Sequence, residues 1–106
     1  MKTVPVNGDL AWAIVAYNIN HKHCFESVTG IVYEARVEGN TIYYKGSDRN
    51  NGEDEDISKV DFCIAFEKIK DLPEINTNTI KDVIDSSVYR KRSPLIGMLY
   101  SFKIIM

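Results

Sequence analysis

Residues 30–46, Gly-Ile-Val-Tyr-Glu-Ala-Arg-Val-Glu-Gly-Asn-Thr-Ile-Tyr-Tyr-Lys-Gly, leave this chain few choices of fold. Ile31, Tyr33, Ala35 and Val37 alternate with Val32, Glu34, Arg36 and Glu38. That period of two sends one set to each face of a strand. Gly39-Asn40 then offers a two-residue turn, and glycine at its first position suits type II′, which needs a positive φ there. The turn dictates a register in which Glu38 faces Thr41, Val37 faces Ile42, Arg36 faces Tyr43, Ala35 faces Tyr44 and Glu34 faces Lys45. Val37, Ile42, Ala35 and Tyr44 then share an apolar face. The opposite face carries a Glu34–Lys45 pair and an Arg36–Tyr43 pair, each contributing about 0.2–1 kcal/mol. A slip of one residue would scramble both faces. Two strands alone are marginal in water, so the remaining chain must cover the apolar side.

That cover is predicted to be helical. Residues 10–17, Leu-Ala-Trp-Ala-Ile-Val-Ala-Tyr, form a continuous apolar run. Asp9 is placed to cap a helix in which Leu10, Ile14 and Tyr17 form the stripe. A buried strand would also accommodate such a run, but its three alanines favour a helix. The run is too short to span a bilayer and lacks the flanks of a secretion signal, so a cytoplasmic protein without a membrane partner is expected. Farther on, Ser58-Lys59-Val60-Asp61 reads as a capping box with Asp for Glu, and Ile57 and Phe62 sit at hydrophobic-staple positions. Phe62, Phe66 and Ile69 form that helix's stripe, which Leu72-Pro73 ends. Thr79-Ile80-Lys81-Asp82 suggests a further helix running to Val88. Ser93-Pro94 suggests a last one, with Ser93 as cap and Leu95, Leu99 and Phe102 inward. Ile104-Ile105-Met106 is expected to dock as a tail or short strand. The chain of 106 residues therefore reads as one α+β domain over 1–106, a small antiparallel hairpin or sheet packed against three to four short helices.

Sites of chemistry are sparse. His21-Lys22-His23-Cys24 has zinc-ligand chemistry, but its spacing matches no zinc pattern, and a polar helix end followed by Cys24-Phe25 entering the core is the plainer reading. Asp48, Asn50 and Gly52 resemble part of a calcium loop, yet Glu53 and Lys59 stand at its sixth and twelfth positions, where glycine and glutamate belong. Residues 47–56 therefore read as a solvated, mobile acidic loop. The two cysteines, Cys24 and Cys63, are too few for a disulfide framework and are expected unpaired and inert, Cys63 as a small core residue. No nucleophile elbow, P-loop, zinc-protease or dinucleotide motif is present, so no catalytic residue and no cofactor is assigned and the chain is not read as an enzyme.

Charge is unevenly spread. The formal net charge is −2, which argues against nucleic-acid binding by bulk charge. Residues 86–106, however, hold Arg90, Lys91, Arg92 and Lys103 and no acid, whereas residues 48–61 hold six acids against Arg49 and Lys59. Tyr89, Arg90, Lys91, Arg92 and Ser93 together make an anion-friendly turn at the start of a helix. The functional expectation is a small interaction domain that contacts DNA or RNA phosphates through this basic turn between two C-terminal helices, in the manner of a helix-turn-helix. The alternatives are a protein-interaction module, self-associating as a homodimer, and a turn that merely pairs with the acidic loop.

Overall fold

A computed structural model describes residues 1–46 and 52–106. The chain runs α1 (Gly8–Lys22), β1 (Cys24–Glu26), β2 (Val32–Glu38), β3 (Thr41–Gly46), β4 (Glu55–Ser58), α2 (Lys59–Ile69), α3 (Ser86–Tyr89) and α4 (Arg92–Ser101). The strands form one antiparallel sheet in the order β1-β2-β3-β4.

The central hairpin adopts the register that its turn dictates, from Glu38 opposite Thr41 to Glu34 opposite Lys45. Gly39 takes φ 59° while Asn40 stays out of the positive region, the combination a type II′ turn requires. Ala35, Ile42 and Tyr44 are buried beneath the sheet and Val37 is half-buried. On the open face, Lys45 Nζ lies 3.5 Å from Glu34 Oε2, and the Arg36 guanidinium sits 4.7 Å from the centre of the Tyr43 ring.

Two further strands extend this hairpin. Cys24–Glu26 pairs with β2, which turns Phe25 inward onto Tyr33 at a centroid distance of 4.8 Å. It also leaves Cys24 exposed on the open face rather than entering the core. Glu55–Ser58 pairs with β3 and buries Ile57. The acidic stretch thus ends in an edge strand instead of remaining loop throughout. Residues 47–51, including the calcium-like Asp48 and Asn50, lie outside the described residues. An acidic edge suits its position, because charges on an unpaired strand discourage pairing with another sheet.

Helix α1 starts two residues earlier than expected and buries a different face. Asn7, not Asp9, is its cap, accepting from Leu10 N–H at 2.8 Å. Asp9 instead faces Lys59 Nζ at 3.8 Å and Cys63 Sγ at 3.9 Å on α2. The buried residues are Ala11, Trp12, Val15 and Ile19, while Leu10 and Tyr17 are 49% and 64% exposed. Apolar side chains surround this helix, so periodicity singles out no stripe. Close approach decides the face: a Cβ on Gly8 would stand 3.1 Å from the Cys63 carbonyl oxygen. The Glu67 carboxylate reaches across from α2 to accept from Gly8 N–H at 2.6 Å, satisfying a donor at the helix start.

Helix α2 follows its pattern closely. Ser58 Oγ accepts from Asp61 N–H at 3.1 Å, and Phe62, Phe66 and Ile69 are fully buried. Trp12 meets Phe62 edge-on at 5.4 Å. Cys63 is half-buried at the seam with α1. The helix expected from Thr79 to Val88 is absent as such. Asn76 Oδ1 accepts from the N–H groups of Asn78 and Thr79, and the Thr79 hydroxyl donates to the Asn76 carbonyl at 3.2 Å. The cap is thus spent on a turn, the local competition to which Asn and Thr are prone. Ile80 is nonetheless buried. Asp85 caps the short α3 by accepting from Ser87 N–H at 3.2 Å.

Helix α4 begins at Arg92, with Lys91 at the cap position and Ser93 and Pro94 inside the first turn. Proline is tolerated there because its missing N–H would have had no intrahelical partner. Six consecutive residues, Pro94 to Leu99, are buried. A Cβ on Gly97 would lie 3.0 Å from Ser27 Cα and 3.2 Å from the Glu26 carbonyl oxygen, so only glycine lets α4 lie directly on the end of β1. The C-terminal tail docks as expected, Ile105 bridging Thr3 while Lys2 and Met106 exchange backbone hydrogen bonds of 3.0 Å.

Candidate functional site

The basic turn is where the sequence places it, between α3 and α4, but its members diverge. Lys91 is half-buried and turns its Nζ to Asp56 Oδ1 on β4 at 3.7 Å. One third of the cationic cluster therefore joins the acidic edge. Arg92 is exposed; its guanidinium stacks 4.6 Å from the Tyr89 ring centre and donates to the Tyr89 carbonyl at 3.3 Å. Tyr89 thus serves as a platform that fixes Arg92 rather than as an open stacking surface. Arg90 is exposed at the end of α3.

Arg90, Arg92 and Ser93 all line a groove of about 290 Å³. The β1–β2 connection contributes a wall through Val28 and Thr29, and Asn76, Thr77, Ile96 and Met1 complete the described lining. Among the described residues no carboxylate lines it. The wall is held firmly. Ser27, buried, accepts from Ile31 N–H at 3.0 Å through its hydroxyl, which also lies 3.1 Å from the Thr29 hydroxyl. Gly30 completes the turn at φ 93° and donates to the Ser27 carbonyl at 3.0 Å. A Cβ on Gly97 would meet Ser27, so the glycine that seats α4 brings that helix against the base of this wall.

Among the contributors, Val28, Thr29, Asn76 and Thr77 carry no sequence signal. They arrive from segments far apart in the chain, and the packing of α4 on β1 brings Val28 and Thr29 near the basic turn. The cap residue of α4, Lys91, makes no side-chain cap hydrogen bond to the start of the helix. The helix's positive dipole end adds to the two arginines.

Elsewhere the titratable groups serve structure. Burial, followed by the nearby Asp9 carboxylate, raises the Cys63 thiol above its ordinary value. Lys70, with help from the Gly8 N–H, holds the Glu67 carboxyl below the usual range. Glu38 and Asp54 raise Arg36 further above its already high value. Among the described residues no group of three His, Cys, Asp or Glu side chains is placed to hold a metal ion. None of the described helices is long and apolar enough to cross a membrane. Compared with protein-family models, with curated proteins and with solved structures, the chain finds no match.

Proposed function

We propose that this chain is a small binding module that takes a phosphate-bearing partner at the α3–α4 turn, through Arg90, Arg92 and Ser93. The observation that carries the reading is the convergence of these three residues on one groove whose described lining residues include no carboxylate. Two guanidinium forks and a hydroxyl supply the directed donors that phosphate oxygens require. Nucleic-acid backbone is the first candidate. Reading a duplex by inserting α4 into its major groove is not supported, because six consecutive residues of α4 are buried and none of its faces is left free to enter. Contact with phosphates of a single strand fits the exposed rim better.

A salt titration of binding to a short single strand and a short duplex tests this. Two phosphate contacts correspond to a log–log slope of about −1.4 on single strands. Arg90→Ala with Arg92→Ala should abolish binding without unfolding the domain, whereas Lys91→Ala, whose partner is Asp56, should matter less. Equal binding by wild type and the double variant would refute the proposal.

A second reading, self-association, has its own support. Val60 and Ile64 on α2 are 66% and 53% exposed, and Leu10 and Tyr17 are exposed on α1. Sedimentation equilibrium of wild type and of Ile64→Glu decides it: a dimer that dissociates in the variant supports self-association, and a monomeric wild type removes it.

A further inference from the structure

We infer that the groove seats one unstacked base of a single strand, beside the backbone phosphates that the basic turn takes. This rests on the reading of the basic turn given above and names what makes the site prefer a single strand. Its first support is the division of the lining. Arg92 and Ser93 stand in the same groove as apolar Val28 and Ile96, and Val28 remains 48% exposed. A phosphate gains nothing from an exposed valine, whereas the flat face of a base does. In a duplex that face is covered by stacked neighbours, so only a base splayed out of a single strand can use the surface.

The setting of Arg92 is the second support. Its guanidinium lies over the Tyr89 ring at 4.6 Å and donates to the Tyr89 carbonyl at 3.3 Å. The side chain is held in place while it stays exposed. A guanidinium fixed in this way both donates to a phosphate oxygen and offers its plane to a base. The third support is the polar edge. Asn76 Oδ1 is taken by the N–H groups of Asn78 and Thr79, so this lining residue offers a base edge only its amide donors. Every base carries an acceptor on its edge, so the seat tolerates any sequence. A volume of about 290 Å³ sits near the lower end of small-molecule sites and suits one base rather than a stacked run. The bonded wall at Ser27, Thr29 and Gly30 is preformed, so little ordering accompanies binding.

The test is a calorimetric and amide-shift NMR titration of the full chain over a range of salt. The probes are a five-nucleotide oligodeoxythymidylate, the oligouridylate of equal length, an abasic strand with the same phosphates and a short duplex. At least one base-bearing single strand should bind saturably, with shifts at Val28, Thr29, Thr77 and Ser93; the tighter of the two names DNA or RNA as the source. Its affinity should exceed that of the abasic strand and of the duplex by at least about tenfold. The salt slope should be the same with and without bases, because the phosphates are unchanged. Arg92→Ala should weaken binding of every strand while the folded spectrum persists. Val28→Ser, also at an exposed position, should narrow the ratio between base-bearing and abasic strands to about twofold or less. An abasic strand that binds as tightly as the base-bearing ones would overturn the inference; if that binding still falls in Arg92→Ala, the basic-turn reading stands. Equal weakening of both kinds of strand by Val28→Ser would also overturn it, as would tighter binding of the duplex or shifts outside the groove. Binding of none of the probes would remove both readings.

Discussion

Replacing Phe66 by Ala probes the seam between α2 and the sheet most directly. Phe66 is fully buried, with its ring parallel to that of Phe62 at a centroid distance of 6.4 Å. Losing the burial of a phenyl ring costs about 1.5–3 kcal/mol. The space left behind adds to that at about 24 cal/mol per Å³, so a residual cavity of about 60 Å³ contributes about 1.4 kcal/mol more. The expected total is about 3–5 kcal/mol, a large part of the stability of a domain this size. Ile64 is the internal control. It lies two positions earlier on the opposite side of the same helix and is 53% exposed. Ile64→Ala should therefore cost no more than about 0.5 kcal/mol. Guanidinium unfolding monitored by circular dichroism and by Trp12 fluorescence, with a common slope across the three proteins, gives both values. A Phe66→Ala loss below about 1 kcal/mol, or an Ile64→Ala loss equal to it, would show that α2 presents another face to the core.

Three further outcomes follow from the same packing. Gly97→Ala places a methyl 3.0 Å from Ser27 Cα, and its overpacking cost of about 1–3 kcal/mol outweighs a helix-propensity gain of about 1 kcal/mol. A net loss in a chemical denaturation curve is expected, and a stabilised variant would refute the close seating of α4. Lys70 and the Gly8 N–H depress the Glu67 pKa in the folded state. Its contribution is therefore present above the ordinary glutamate value and lost as pH falls through the lower folded value. Glu67→Gln should flatten that part of an acid-unfolding profile, and an unchanged profile would show the pairing to be inert. Finally, a thiol reagent should modify exposed Cys24 quickly and half-buried Cys63, whose thiol is raised by burial, slowly; the reverse order, measured by peptide mass, would contradict the placement of both.

What the sequence discloses of this fold tracks how local the determinants are. The hairpin and α2 are legible to the residue because a turn glycine and a serine cap set their registers from within a few positions. Strands β1 and β4 are not. Cys24–Glu26 and Glu55–Ser58 are three and four residues long, too short for alternation to stand out, and they become strands only because the hairpin offers them edges. Helix α1 shows the opposite difficulty, an excess of apolar residues, so the buried face follows from where Gly8 admits Cys63 rather than from periodicity. At Thr79 a sound capping pattern loses to Asn76, whose Oδ1 takes the Thr79 N–H that Asp82 would have capped.

The candidate site follows the same logic at one remove. A run of three cations reads as one patch in sequence, yet backbone geometry gives consecutive residues different directions. At the junction of α3 and α4, Lys91 goes to Asp56 and Arg92 to Tyr89. What makes this charged turn part of a lined groove is the addition of Val28 and Thr29, which follow the Glu26–Ser27 backbone that Gly97 approaches. A glycine in a helix interior ordinarily costs about 0.5–1 kcal/mol relative to alanine, so its use there needs a compensating contact. Here the contact is the backbone of Glu26 and Ser27. Widening that contact should therefore act on the groove before it acts on the core. In Gly97→Ala, the amides of Thr29 and Ser93 should shift in the NMR spectrum while those of Phe66 and Ile69 stay in place, because the first pair borders the displaced walls and the second lies in α2. Uniform shifts through both groups would mean that α4 and the sheet move as one body, and that the groove is not set by Gly97.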